Sequence, residues 1–137
     1  MKIDAFNKDI INTSTIYIHD SVFINMTYNY FEKKIDFKSQ NDQNITKIYH
    51  LEFFNVIGYE MISCEFWGKS PYIFDWEVKK KEDQALIAKL VKEQNDHHYP
   101  YSCFSNDTKY FESVITFTSG NKLTIACEYI YFSEIVS

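Results

Sequence analysis

The chain has 137 residues, a formal net charge of −5 and a sequence pI of about 5.3. A hydrophobic fraction of 45%, with 18% aromatic residues, excludes a disordered chain, and the length indicates one domain over residues 1–137. The acidic balance argues against a nucleic-acid-binding protein, whose footprint is a basic patch. Every basic side chain is lysine, so no bidentate guanidinium clamp for phosphate can form.

The sequence carries no targeting or membrane signal. Its first 12 residues alternate charged and apolar side chains, whereas a signal peptide has a basic stretch and then an apolar run. No window approaches 18 uncharged apolar residues, so we expect no membrane association. Cys64, Cys103 and Cys127 are an odd set without CxxC spacing, which indicates reduced thiols in a cytoplasmic protein. Cys64 and Cys127 lie on apolar rows and are expected to be buried.

Alternation of apolar and polar residues dominates the chain and predicts half-buried strands. In residues 72–78 the even positions are all apolar, and we expect them to face the core, with Asp75 and Glu77 on the other face. Short connections between the strands favour antiparallel pairing. The predicted strands cover residues 15–30, 34–38, 45–57, 61–67, 72–78, 110–118 and 122–132.

Breaks in the alternation predict where the chain turns. We expect a bend or bulge at residues 19–21, a polar loop at 39–44, a break at Gly58 and a turn at 68–71. The segment 119–121 has a central glycine, which supplies the positive φ of a β-hairpin turn.

Residues 82–94 change to a helical period, with one apolar stripe that includes Leu86 and Leu90. Residues 95–108 form the longest irregular segment. Together these elements predict an α+β, mostly β fold. The expected architecture is an antiparallel β-sandwich, or a strongly curved sheet, of about seven strands with one helix packed on it.

No residue pattern indicates catalysis or a bound cofactor. His19, Asp20 and Ser21 spell a catalytic triad, but adjacent strand residues point to opposite faces, so a bend with local capping is the simpler explanation. A Gly-rich phosphate loop is absent from the sequence. We therefore expect a protein that is not an enzyme, with no catalytic residue and no cofactor.

A loop metal site is the second chemical possibility. His97, His98 and Cys103 offer ligand atoms, but structural zinc takes four ligands with paired spacing. A solvated helix C-terminus, where histidine is favourable, explains the two histidines without a metal. The sequence predicts no metal site, and whether these three residues bind one stays open.

The aromatic content is the most unusual feature of the sequence. Eleven Tyr, twelve Phe and two Trp exceed what a core of this size needs, and Tyr and Trp are favoured at interfaces. An acidic, Tyr-rich surface suits a basic protein partner, although core rings explain any single residue equally well. The predicted partner-binding residues are Asp96, Tyr99, Tyr101, Phe104, Asp107, Glu128 and Tyr131.

Three short motifs carry a resemblance to a known group of proteins. They are the strand with His19-Asp20-Ser21, the turn Trp67-Gly68-x-Ser70-Pro71, and the hairpin Phe117-Thr118-Ser119-Gly120-Asn121-x-Leu123-x-Ile125-x-Cys127. With these motifs the chain resembles small bacterial proteins, several of them immunity proteins of polymorphic toxin systems. The resemblance implies a cytosolic protein that blocks a cognate toxin, often a nuclease, by binding it. Its acidic charge suits a nuclease, whose surface is typically basic.

Two other functions stay open. The aromatic residues could line a pocket for a small molecule, in a binding protein or a small enzyme with a histidine base. An exposed edge strand could also pair two copies, so we expect a monomer or a weak homodimer.

Overall fold

The computed structural model describes residues 1–13, 18–62, 72–97 and 109–136. These ranges contain nine strands, one α-helix (α1) and two short 3₁₀ helices. The strands are β1 (Lys2–Asp4), β2 (Val22–Asn29), β3 (Lys34–Gln40), β4 (Lys47–Phe54), β5 (Gly58–Ile62), β6 (Ile73–Val78), β7 (Phe111–Phe117), β8 (Lys122–Cys127) and β9 (Tyr129–Val136). The helices are α1 (Ala85–His97) and the 3₁₀ turns Lys8–Asn12 and Lys81–Asp83.

The strands form two antiparallel sheets. One has five strands in the order β1-β9-β4-β3-β2, and the other has four in the order β5-β8-β7-β6. This arrangement confirms the predicted α+β, mostly β fold with one α-helix. The described ranges hold nine strands where about seven were predicted. The predicted last strand, residues 122–132, is in fact two strands that belong to different sheets, and β1 was not predicted.

The two sheets are joined at a corner where the chain passes between them twice. β4 leads into β5 and β8 leads into β9, and the two passages are hydrogen bonded to each other. Ile57 N donates to Ala126 O at 2.9 Å, and Glu128 N donates to Phe54 O at 3.2 Å. Changes of sheet at such bends are a known way to build the edge of a sandwich.

Gly58 begins β5 instead of breaking the chain. The break falls at residues 55–57, where Asn55 has a φ of 52°. A Cβ on Gly58 would lie 2.7 Å from Leu90 Cδ1 of α1. The glycine therefore allows the helix to pack close to the sheet. The sequence pattern does not show this role.

The core lies between the sheets, and a β-bulge decides which residues of β6 enter it. The register of β6 against β7 shifts between Ile73 and Asp75. Ile73 is fully buried as a result, while Tyr72 and Phe74 are exposed. The prediction that all even positions of residues 72–78 face the core is therefore wrong for Tyr72 and Phe74 and right for Trp76.

A turn and a second bulge shape the start of β2. Ser21 N donates to Ile18 O at 3.1 Å and Asp20 has a φ of 66°, which confirms the predicted bend at residues 19–21. The bulge between Phe23 and Asn25 turns Phe23 toward the core. Residues 14–17, the first part of the predicted strand 15–30, lie outside the described residues.

Helix α1 confirms the predicted helix but begins three residues later, at Ala85, and ends three residues later, at His97. Residues 95–97 are therefore helical and do not belong to the predicted irregular segment 95–108. Its Leu86 is buried, and the helix contacts β5, β7 and β8 of the four-stranded sheet. None of the helices in the described ranges is long and apolar enough to cross a membrane. The predicted β7–β8 hairpin is also confirmed, with Gly120 at a φ of 96°. The predicted turn at 68–71 lies outside the described residues.

Candidate functional site

Three of the seven predicted partner-binding residues lie in the described ranges. Asp96 lies on α1, where its carboxylate pairs with Lys92 one helical turn earlier. Glu128 lies at the corner between the sheets, and Tyr131 lies three residues on, in β9. The structure thus brings Glu128 and Tyr131 to one sheet and places Asp96 on the helix of the other. Four of the predicted residues lie outside the described ranges: Tyr99, Tyr101, Phe104 and Asp107.

The register of the five-stranded sheet brings six aromatic residues to the end where Glu128 lies. At this end β1, β2 and β4 finish while β3 and β9 begin, because Tyr129 pairs with both Asp4 and Phe54. Five strands at a spacing of about 4.8 Å span roughly 19 Å. We call this set the aromatic rim, and its members are Phe6, Tyr30, Phe31, Phe54, Tyr129 and Tyr131.

Two members of the rim are almost fully exposed. Phe6 is 98% exposed and Phe31 is 93% exposed, at the tips of two turns on opposite edges of the sheet. Tyr30 is 65% exposed and Tyr131 is 42% exposed. Single exposed apolar residues are common on proteins, but several exposed aromatic residues at one end of a sheet can serve as a surface for interaction. Of this group, only Tyr131 is among the predicted partner-binding residues.

Short polar side chains hold the two tips in place. Asp4 Oδ1 accepts a hydrogen bond from Phe6 N at 2.9 Å, and Asn7 Oδ1 accepts one from Asp4 N at 2.6 Å. On the other edge, Asn29 Oδ1 accepts a hydrogen bond from Glu32 N at 3.0 Å. Asp and Asn favour turns through such bonds to nearby backbone. The exposed phenylalanines are therefore carried on turns with defined hydrogen bonds.

The centre of the rim is a packed group of three rings. Phe54 and Tyr129 stack at 4.9 Å between centroids with 9° between their planes. Tyr131 meets both rings edge-on, at 5.7 Å from Phe54 and 5.9 Å from Tyr129. Because contacts of this kind restrict the rings before any partner arrives, little side-chain freedom is lost on binding.

Lysines rather than acids cover the rim rings. Lys33 Nζ lies 3.6 Å from the centroid of Tyr30, Lys2 Nζ lies 4.8 Å from Tyr129, and Lys34 Nζ lies 5.2 Å from Phe54. The acids close to the rim in sequence are Asp4, Glu32 and Glu128. Lys34 is paired with Glu52 and Asp36, and Glu128 is paired with Lys109. The rim is therefore rich in tyrosine but nearly balanced in charge.

A charged cluster adjoins the rim on the solvent-facing side of β3 and β4. His50 Nε2 lies 2.8 Å from Asp36 Oδ1, and Lys34 Nζ lies 2.8 Å from Glu52 Oε2. The hydrogen bond to Glu52, opposed by burial and assisted by Asp36, raises the pKa of Lys34. The sequence alone does not show this cluster, because the cluster depends on the register that places Asp36 opposite Glu52.

The opposite end of the same sheet holds a cleft of about 460 Å³, lined mainly by polar groups. His19 Nδ1 lies 3.1 Å from Asp20 Oδ2 at its wall. Ser21 is buried, and its hydroxyl is hydrogen bonded to Ile18 O and to the Ser39 hydroxyl at 2.9 Å. The serine is thus part of the turn and is not presented as a nucleophile, in agreement with the bend inferred from the sequence.

Cys127 is fully buried in the core, as predicted, and burial raises the pKa of its thiol far above the ordinary value. Such a thiol packs as a small apolar group and is unreactive. Cys64, Cys103 and His98 lie outside the described residues, and His97 is the last residue of α1. Whether His97, His98 and Cys103 bind a metal therefore stays open.

Compared with known proteins, the chain matches no family model and no curated protein.

Proposed function

We propose that this chain is a non-enzymatic, immunity-type protein of the bacterial cytoplasm that binds and neutralises a cognate toxin domain. The aromatic rim is the proposed binding surface, and the observation that supports it is the near-complete exposure of Phe6 and Phe31 at its two edges. Folding gains nothing from rings that remain in water, so these two side chains are available to a partner.

The size and chemistry of the rim suit a protein partner. A stable interface buries about 800 Å² on each side, and a single aromatic side chain can bury roughly 150–250 Å². Six rings over a width of roughly 19 Å can therefore form the centre of such an interface. Aromatic anchors of this kind supply most of the binding energy in many complexes.

The net charge of −5 supports a basic toxin, and we propose a nuclease. A surface that binds phosphate is basic, so the long-range field of this chain attracts it and raises the association rate. Because the charge at the rim is nearly balanced, the short-range contacts with the partner are made mainly by the aromatic rings. The net charge of the whole molecule thus steers the toxin toward this protein, and the rim provides the binding affinity.

The test is a binding and rescue experiment with the C-terminal toxin domain that, on this proposal, a neighbouring gene encodes. Wild-type protein is expected to bind that domain and to restore growth of cells that express it. Phe6→Ala combined with Phe31→Ala is expected to weaken binding by about 2 kcal/mol or more, which is roughly 30-fold in Kd. Phe74→Ala is the matched control, since Phe74 is also an exposed phenylalanine but lies outside the rim.

Two results would contradict the proposal. If the neighbouring domain does not bind or is not neutralised, the immunity function is wrong. If the double rim variant binds as tightly as the Phe74→Ala control, the function stands but the rim is not the surface that carries it. Light scattering of the free protein tells a monomer from a weak homodimer.

The cleft supports a second candidate function, the binding of a small polar molecule. Its volume of about 460 Å³ lies in the range of ligand pockets, and Tyr49 and Tyr72 contribute aromatic walls. A thermal-shift screen with small polar compounds tests this function, with Asp20→Asn as the variant. Asparagine tolerates the positive φ of Asp20, so the variant keeps the turn. A ligand that stabilises the wild type but not the variant would favour this function.

A further inference from the structure

The antiparallel pairing of β3 with β4 sets two carboxylates directly opposite each other on the solvent-facing side of the sheet. Asp36 pairs with Glu52, and His50 precedes Glu52 by two residues, so all three side chains lie on one face. One ligand atom from each of the three lies within 4.8 Å of the others. Like charges opposite each other destabilise a sheet, so this pair requires a cation.

Lys34 supplies a cation beside both carboxylates. Its Nζ lies 2.8 Å from Glu52 Oε2 and 3.5 Å from Asp36 Oδ1. Lys34 contacts Oε2 of Glu52, so Oε1 of the same carboxylate is left facing the ring of His50, and Lys38 pairs with His50 on the same face of the sheet.

The two ring nitrogens of His50 show where a further cation fits. Nε2 lies 2.8 Å from Asp36 Oδ1, so Nε2 carries the hydrogen that is donated to this carboxylate. In the neutral ring Nδ1 then has a lone pair, and it faces Glu52 Oε1 at 3.8 Å. Two acceptors that face each other at this distance leave a place for a metal ion between them.

We infer that His50 Nδ1 and Glu52 Oε1 bind a divalent transition-metal ion such as Zn²⁺, with Asp36 as the hydrogen-bond partner of His50. Zinc bonds to histidine nitrogen and carboxylate oxygen are about 2.0–2.2 Å long, so an ion between Nδ1 and Oε1 spans the observed separation at an open angle. Asp36 then receives the hydrogen of the metal-bound histidine, as carboxylates commonly do at zinc sites. This inference is independent of the proposed function.

The mixed ligand set decides which metals the site takes. Imidazole favours Zn²⁺, Ni²⁺ and Cu²⁺ over Mg²⁺ and Ca²⁺, which prefer sites made only of oxygen. Lys34 competes with the metal for Glu52, so it limits the affinity. Water is expected to complete the coordination, because all three side chains keep part of their surface exposed.

The experiment is a Zn²⁺ titration of the ¹⁵N-labelled full chain at neutral pH, followed by NMR of the histidine rings and by calorimetry. We expect the Nδ1 resonance of His50 to shift on binding while Nε2 keeps its hydrogen. One binding event should disappear in His50→Gln, and Asp36→Asn should weaken it by about 10–100-fold. Lys34→Met should bind Zn²⁺ more tightly than the wild type.

His19→Gln is the matched control, because His19 Nδ1 also lies beside an aspartate, at 3.1 Å from Asp20 Oδ2, but His19 lies at the cleft on the opposite end of the sheet. It should keep the binding event that His50→Gln loses, whatever other histidines or cysteines of the chain bind. The ring measurement on the wild type does not depend on any variant folding. Unchanged His50 resonances at saturating Zn²⁺, or protonation of His50 without zinc binding, would overturn the inference.

Discussion

Substitutions of Glu112 test how helix α1 is attached to the sheet. Its side chain is only 2% exposed, yet its carboxylate accepts hydrogen bonds from Leu86 N at 3.3 Å and Ile87 N at 2.9 Å. The first turn of α1 has no acidic residue of its own. A strand residue that is distant in sequence therefore takes the place of a local N-cap.

The magnitude follows from these two bonds. Glu112→Ala leaves two N–H groups at the helix start without an acceptor, and we expect a loss of about 2–4 kcal/mol in the free energy of unfolding. Glu112→Gln keeps an oxygen for one N–H and removes the buried charge, so its loss should stay within about 1 kcal/mol.

The pH dependence has a definite sign. Burial raises the pKa of Glu112 above its ordinary value of 4.5, although the bonds from Ile87 and Leu86 and the charge of Lys79 lower it. Between the unfolded and folded pKa values the native protein binds more protons than the unfolded chain. The stability from this group is therefore full below the unfolded pKa and is lost as the pH rises through the folded pKa.

The assay is urea denaturation followed by circular dichroism at several pH values between 4.5 and 8. Wild-type stability minus that of Glu112→Gln should fall as the pH rises. Glu82→Gln, which removes an exposed carboxylate, is the matched control. A difference that rises with pH, or a Glu112→Ala variant as stable as the wild type, would refute the role given to Glu112.

Two further predictions concern contacts that shape the four-stranded sheet. Gly58→Ala places a Cβ 2.7 Å from Leu90 Cδ1 and should cost about 1–3 kcal/mol. Leu90→Ala in the same chain should lower this penalty, which a double-mutant cycle by urea denaturation measures; additive effects would contradict the contact. Asn12→Ala removes bonds to the backbone N and O of Val78, at 2.9 and 3.5 Å, and should cost about 1–2 kcal/mol in the same assay. An unchanged midpoint would show that these bonds do not hold the edge of β6.

The alternation of apolar and polar residues predicted burial correctly in a strand without a bulge and failed in part where a strand carries one. In β3 the pairing is regular, and Ile35 and Phe37 are fully buried as the period of two requires. In β6 one bulge reverses the orientation of the first residues, so Phe74 is exposed although Trp76 is buried. A bulge is set by hydrogen bonds to the neighbouring strand, and a single sequence does not show which strand that is.

The division of the last predicted strand has the same origin. Residues 122–132 contain neither glycine nor proline, so nothing local predicts a break. The break at Glu128 exists because its N–H bonds to Phe54 O at the corner of the other passage between the sheets. Tertiary pairing, rather than local preference, ends β8 there.

The candidate site was predicted only where it coincided with a strand. Tyr131 was found because the last strand is rich in tyrosine, whereas Phe6 and Phe31 were missed. Both lie outside the predicted strands, and that position was a usable signal, since a phenylalanine in a turn does not belong to an alternating core row. Their grouping with Tyr131 depends on the strand order, in which β1 and β2 form opposite edges of one sheet.

The meaning of the acidic charge changes once the rim is located. If the −5 acted through direct contacts, acids would dominate the surface around the rings, but Lys2, Lys33 and Lys34 lie over three of them. A field produced by the whole molecule affects mainly the rate of association and is screened by salt, while packed rings determine how long a complex lasts. For the proposed toxin complex, salt should therefore lower the association rate, and loss of Phe6 or Phe31 should raise the dissociation rate.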